Sequence, residues 1–243
     1  ANMISADINI FAILNITKIM ELNNIYLGFA LATFAGLSTG IGSALALFTR
    51  SFNKRFLAIA LGLSAGIMLY VSFVELMQLS FESLTTIYGL NFGKLITVTG
   101  FVVGLLLMLL IDQLFDHQSI ADFISRSEDK NESVLIKAGV FSAIALAIHN
   151  FPEGFATFTA TVYDPAIGVT LATAIAVHNI PEGIAVSVPI YYATKSKRKA
   201  FYISFLSGLA EPIGALIGFL IFRTVFNEAL FGISFAFCAG IMV

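Results

Sequence analysis

Six stretches of this 243-residue chain are predominantly apolar over residues 26–48, 56–80, 95–115, 134–158, 166–192 and 200–222, and a seventh begins near Leu230. Each of the six is long enough to cross a bilayer, which takes about 20 such residues for about 30 Å of hydrocarbon. In lipid every backbone polar group must be satisfied internally, so only helices or closed barrels can span. The runs do not alternate with a period of two, and the chain therefore reads as all-α, a polytopic transmembrane helix bundle. Composition agrees: 58% of residues are hydrophobic and 12% charged, with a mean hydropathy of +0.92, against about a quarter charged in soluble chains. A net charge of -2 and the lack of a basic stripe exclude nucleic acid as a partner. The single cysteine, Cys238, excludes an internal disulfide framework and a thiolate zinc cage, and reads as a small buried apolar residue.

Basic residues orient the bundle. Arg50, Lys54 and Arg55 lie between spans one and two, Arg126, Lys130 and Lys137 between or at the edge of three and four, and Lys195, Lys197, Arg198 and Lys199 between five and six. Ten of the 13 basic residues thus share one side, which is expected to be cytoplasmic, with the N-terminus outside. Residues 1–24 lack the basic start of a cleavable signal peptide. Their apolar part is broken by Asn15, Lys18 and Glu21, so an extracytoplasmic or interfacial segment is expected there. Residues 25–243 are then the transmembrane domain. Its longest polar segment, 116–133, is expected to be a cytoplasmic loop, either simply solvated or collecting metal through Asp116, His117 and Asp122.

The chemistry sits inside the hydrocarbon. An ionisable residue there costs at least about 2.5–3.5 kcal/mol on insertion scales and marks a functional site by default. Span four carries His149-Asn150-Phe151-Pro152-Glu153-Gly154 and span five carries His178-Asn179-Ile180-Pro181-Glu182-Gly183. The pattern H-N-x-P-E-G occurs twice, and span six adds Glu211-Pro212. His and Glu four apart share a helix face. Each proline removes a helical N–H and frees carbonyls one turn back, and each following glycine admits another backbone or an ion. At about 1.5 Å per residue, His149 lies about 22 Å into span four and His178 about 18 Å into span five, so both sit near mid-membrane with Glu211. Imidazole with carboxylate and no thiolate suits zinc, iron(II), manganese, cobalt or cadmium. Three glutamates with no Lys or Arg beside them in these spans call for a cation, and the cluster is large enough for two ions sharing Glu153 and Glu182.

Other polar residues keep two readings. Met68 is either a thioether ligand or an ordinary packing residue. Glu75 either lines an outer vestibule or faces water near its span's end, and Asp112 is expected to meet solvent. The string Ser64-Ala65-Gly66-Ile67-Met68 in span two echoes Cys238-Ala239-Gly240-Ile241-Met242 in span seven. That is the pattern of an inverted repeat, unless chance in Ala/Gly-rich sequence produced it.

The doubled HNFPEG and HNIPEG motifs, SAGIMLY at 64–70 and LAEP at 209–212 resemble the ZIP family of divalent metal transporters, in its bacterial ZupT-like branch, from span one to the end of the chain. The resemblance implies eight spans arranged three, two and three, both termini outside, and a binuclear metal centre. It implies His149, Glu153, His178 and Glu182 at one metal position, and Asn150, Glu153, Asn179, Glu182 and Glu211 at the other. Met68 matches a position that supplies sulfur in some members. Two departures stand: residues 1–24 lie outside the family core, and the sequence contains no eighth span. The expected activity is uptake of zinc, and also iron(II), manganese, cobalt or cadmium, with no catalytic cofactor. The expected partners are those ions and the lipid bilayer, with self-association into a homodimer left open. The expected location is the cell membrane, the bacterial inner membrane if the resemblance holds. The alternative, an intramembrane zinc-dependent hydrolase, needs an open metal position and a separate base, and nothing resembles HExxH. No Walker A string provides for ATP drive.

Overall fold

The computed structural model describes residues 22–48, 54–114, 132–224 and 227–243, and every described element is a helix. In chain order they are α1 (Leu22–Phe48), α2 (Lys54–Tyr70), α3 (Met77–Tyr88), α4 (Leu90–Leu114), α5 (Glu132–Tyr163), α6 (Pro165–Thr194), α7 (Lys197–Gly208), α8 (Ala210–Thr224) and α9 (Glu228–Ile241). A π-helical segment, Val71–Leu76, joins α2 to α3. Five helical stretches are long and apolar enough to cross a membrane: Leu22–Phe48, Ala58–Tyr88, Leu90–Ile111, Pro165–Val188 and Lys197–Thr224. Long apolar side chains on the outside, such as Ile59, Leu63, Leu95, Leu106 and Leu110, suit contact with hydrocarbon. Residues 1–21 and 115–131 lie outside the described residues, and with them most of the polar segment 116–133, whose last two residues, Glu132 and Ser133, begin α5.

Local sequence explains three of the helix junctions among the described residues. Gly89, at φ 79°, turns α3 into α4, a left-handed conformation that glycine adopts without a Cβ penalty. Asp164 caps α6 by accepting from the Ala166 N–H at 2.8 Å, with Pro165 in the first turn, where its missing N–H costs nothing. Asn227 caps α9 in the same way, accepting from Ala229 at 2.8 Å.

Span six, read from sequence as continuous, breaks at Leu209 into α7 and α8. The physical reason is Pro212, which has no N–H for the carbonyl of Gly208 and crowds it. Glu211 is thereby placed in the first turn of α8. Pro152 and Pro181 act differently, since α5 and α6 continue through them. The π-helical segment in span two has no proline to announce it. There the Met77 N–H reaches back to Ser72, and such single-turn bulges often accompany functional sites.

Glycines set how closely the helices approach. A Cβ on Gly36 of α1 would overlap the Gly208 carbonyl oxygen, and one on Gly208 would overlap that of Gly36. On α5, Gly154 faces the Glu211 backbone, while Gly214 of α8 faces the Phe151 carbonyl. On α6, Gly183 faces the Thr39 carbonyl, while Gly42 of α1 faces that of Ile180. The contacts of the first H-N-x-P-E-G motif with α8 are thus repeated by the second motif with α1. This correspondence pairs Thr39 with Glu211 and Gly42 with Gly214, and Gly36 meets its own counterpart, Gly208. A two-fold correspondence between α1 and α7–α8 therefore runs through the centre of the bundle.

Two apolar clusters bracket that centre. One gathers Phe158, Phe222, Phe231 and Phe235 with Leu76, Leu171 and Ile175; the other gathers Leu47, Ala143, Val186, Ile190 and Ala200. Between them runs a polar layer at the level of the repeated motifs. Replacing Gly36 by Val should destabilise the bundle by about 1–3 kcal/mol or more, the scale of overpacking, because backbone rather than a flexible side chain blocks the new atoms. Gly66→Ala, where a Cβ meets nothing within 4 Å, should leave the thermal unfolding midpoint of detergent-solubilised protein unchanged or raised. Equal midpoints for the two variants would contradict the close α1–α7 approach.

Candidate metal centre

The two motifs meet face to face at mid-helix of α5 and α6. Helical spacing puts His149 above Glu153 and His178 above Glu182, and the antiparallel hairpin brings both pairs together. The His178 Nε2 lies 3.0 Å from Glu182 Oε1 and 3.4 Å from Glu153 Oε1. His149 Nε2 lies 3.5 Å from Glu153 Oε1 and 4.0 Å from Glu182 Oε1. Ligand atoms of His149, His178 and Glu182 all fall within 4.8 Å of one another. The four residues assigned to the first metal position are therefore gathered around one space.

The second group assembles beside it. Asn179 Nδ2 donates to Glu211 Oε1 at 2.5 Å and to the Ala35 carbonyl at 2.9 Å. Asn150 Nδ2 donates to the Ser207 carbonyl at 3.4 Å. These two backbone bonds are equivalent under the repeat that pairs Thr39 with Glu211, since each acceptor lies four residues before its member of that pair. Packing of Gly154 on the Glu211 backbone holds Glu211 next to Glu153 in the bundle.

Hydrogen bonding explains what the cluster is built for. Asn150, Glu153, Asn179 and Glu211 are fully buried, yet Asn150 Oδ1, both Glu153 oxygens, Asn179 Oδ1, Glu182 Oε2 and Glu211 Oε2 have no hydrogen-bond partner. Leaving one buried acceptor unsatisfied costs about 1–3 kcal/mol, and more for a charged group. Six orphaned acceptors in one polar layer are a cost that a divalent cation, which takes oxygen and imidazole nitrogen lone pairs, removes. Among the described residues, no Lys or Arg pairs with these glutamates.

Ser64 is a residue that sequence reasoning did not single out. Its Oγ lies 2.5 Å from His178 Nδ1 and 3.3 Å from the His178 carbonyl. The Ser64 hydroxyl can donate to the carbonyl and accept from Nδ1–H, and in that tautomer the Nε2 lone pair is free for a metal ion. Partners of this kind fix the tautomer and orientation of metal-binding histidines. Its signal was present only as the first letter of the SAGIMLY string. Met68 stands one turn further along the same face of α2, buried at 2% exposure within the apolar cluster. Glu75 is half-buried in the π-helical segment, away from the contacts that join α5 to α6.

Comparison with known proteins agrees with this geometry. The family profile described as ZIP Zinc transporter matches residues 114–243, more than half of the chain and all of the doubled motif. The chain belongs to the ZIP family. It is similar to the zinc transporter ZupT of Chlorobium chlorochromatii (strain CaD3), 50% identical over 227 residues, with 91% of this chain and 85% of that protein covered. The zinc transporter ZupT of Lysinibacillus sphaericus (strain C3-41) is also 50% identical, covering 90% of this chain and 84% of its own. That of Clostridium perfringens (strain 13 / Type A) is 44% identical over 241 residues, with coverages of 92% and 85%. This ZIP chain is accordingly a multi-pass membrane protein of a transporter family, not an enzyme. Replacing Ser64 by Ala in it should weaken zinc binding roughly tenfold, with Ser64→Thr closer to the parent. Competition titration of the purified protein against a chromogenic chelator measures both.

Proposed function

We propose that this chain carries divalent transition-metal ions, zinc among them, into the cell through the buried cluster of α5, α6 and α8. The observation that carries the reading is the set of orphaned carboxylate and amide oxygens facing two imidazoles at membrane depth. The names of its relatives support zinc as one cargo. The donor set, nitrogen and oxygen without thiolate, also suits iron(II), manganese, cobalt and cadmium.

The proposed site has two positions. His149, Glu153, His178 and Glu182 form one; Asn150, Glu153, Asn179, Glu182 and Glu211 form the other, so Glu153 and Glu182 bridge. Met68 belongs to the first position as a thioether approached from α2, on the face that also presents Ser64. Two imidazoles at one end favour zinc or cadmium, while the amide and carboxylate end favours harder ions.

Access follows from exposure. His149 and Glu182 keep 20% and 14% of their side chains accessible, whereas His178 and Glu153 keep 5% and 0%. His149 and Glu182 lie one turn nearer the side of the basic connections than Glu153 and His178, respectively. In the proposed orientation that side is cytoplasmic and the N-terminus is outside. The state described is then one in which an ion is released inward. Exposed Lys197, Arg198 and Lys199 at the α6–α7 connection agree with a cytoplasmic placement, in the bacterial inner membrane. The domain division, a segment 1–24 outside and a transport domain over 25–243, belongs to the same reading.

In proteoliposomes, Glu153→Ala and Glu182→Ala should each abolish zinc uptake, because each removes a bridging carboxylate. Glu211→Ala should be milder, since it touches one position only. His178→Ala should erode the preference for zinc over manganese more than it lowers total flux. Near-parental uptake in all four variants would contradict the site. Protons compete for the same lone pairs as the metal, so zinc affinity should fall as pH falls from 8 to 5.5, a range of about 2.5 units across the histidine region. An affinity that is flat over that range would remove the imidazoles from the ligand set. For orientation, a cysteine replacing Ser196 should resist impermeant thiol reagents in intact cells, and one replacing Asp164 should label, with Cys238 removed. The opposite labelling pattern would invert the topology.

A further inference from the structure

The repeat that relates the two H-N-x-P-E-G motifs leaves one position at the centre chemically unequal. Gly183 packs on the backbone of Thr39 as Gly154 packs on that of Glu211. Asn179 bonds the carbonyl of Ala35 as Asn150 bonds that of Ser207. Ala35 and Ser207 each lie four residues before the paired position. Thr39 on α1 therefore occupies the place that Glu211 occupies on α8.

With Ser72 and Thr157, Thr39 is one of three buried hydroxyls among the described residues that have no hydrogen-bond partner, and of the three it is the one at the Glu211-related position. Thr33, Ser43, Thr97, Thr159 and Thr161 all donate to the carbonyl four residues back. For Thr39 that acceptor is Ala35, which already receives Asn179 Nδ2 at 2.9 Å and Ser38 Oγ at 2.6 Å. Thr39 is fully buried and its Oγ1 has no hydrogen-bond partner. A buried hydroxyl without a partner costs free energy, so its retention in a polar layer of orphaned oxygens points to a ligand that shares it. Asn150, the counterpart of the asparagine that holds Glu211, likewise has a free Oδ1.

We propose that Thr39 is a selectivity-determining residue of the metal path, offering a neutral oxygen to a divalent ion where the repeat-related position offers the Glu211 carboxylate. The centre consequently holds three carboxylates rather than four. Its charge and its ratio of nitrogen to oxygen donors stay in the range that favours zinc-like ions over harder ones. This inference rests on the metal-centre reading above and adds α1 to the elements that contact the cargo.

The test uses the full chain in proteoliposomes, with zinc, cadmium and manganese uptake measured alone and in competition. Thr39→Ser keeps the hydroxyl, Thr39→Val removes it at nearly equal volume, and Thr39→Asp supplies a fourth carboxylate. Thr39→Ser should stay within about twofold of the parent and Thr39→Val should lose roughly fivefold in zinc uptake, the scale of one polar contact, at an unchanged or raised thermal midpoint. Thr39→Asp should shift the manganese-to-zinc uptake ratio toward manganese by roughly tenfold, as an added hard anionic oxygen requires. Parental rates and ion ranking in Thr39→Val and Thr39→Asp, with Glu153→Ala inactive, would overturn the role of Thr39 alone. Equal losses in Thr39→Ser and Thr39→Val, with unchanged ranking in Thr39→Asp, would overturn it as a packing defect. Parental uptake in Glu153→Ala would instead remove the metal-centre reading on which it depends.

Discussion

Three glutamates in one buried polar layer, without a lysine or arginine to answer them, impose the condition that shapes this bundle. Charge in a low-dielectric interior is stable only when it is paired, hydrogen-bonded or bound to metal. Here the asparagines use their amide N–H groups on the Ala35 and Ser207 carbonyls and on Glu211, and carboxylate oxygens of Glu153 and Glu182 lie beside the two imidazoles. The nearby features keep those groups together: the apolar clusters on either side, the serine beside His178, and the glycines that bring α1 and α8 up against the motifs.

Glycine close contacts do more than allow tight packing. In lipid, helices gain little by burying apolar surface against one another, and small residues that let backbones touch carry much of the association. Gly154 and Gly183 each follow a site glutamate, so the contact that locks the helix pair also sets the carboxylate's position. Chemistry and packing share one short motif. A substitution at either glycine therefore disturbs the helix contact and the placement of the neighbouring glutamate together, whereas Gly66 is exposed and unopposed.

The repeat gives the centre near-symmetry, broken where Thr39 stands in the place of Glu211. One asparagine, Asn179, meets a carboxylate at Glu211; its counterpart Asn150 bonds the Ser207 carbonyl, and the position related to Glu211 carries Thr39. Proline also differs in effect across the repeat. It interrupts the helix at Pro212, next to Glu211, and is absorbed at Pro152 and Pro181. An ion in such a site encounters unequal ends, which suits a path that accepts it on one side and releases it on the other.

The sequence by itself determined the helical, membrane-spanning character of this chain, because runs of about 20 apolar residues admit few other solutions in lipid. It also determined the donor chemistry, because two H-N-x-P-E-G motifs and Glu211 are too costly at that depth to be incidental. Both are local properties of composition and spacing. Tertiary structure alone decided the rest: the break at Leu209, the π-helical turn at Val71–Leu76, the bond from Ser64 to His178, and the place of Thr39 opposite Glu211. Pro212 made the break legible in principle, but prolines of the same kind leave α5 and α6 continuous, so local sequence did not choose between the outcomes. Ser64 and Thr39 carry no unusual signal in sequence, since a hydroxyl in a membrane helix ordinarily bonds its own backbone. Their roles depend on which helix lies alongside and on whether the local carbonyl is already taken, and only the packed bundle fixes both.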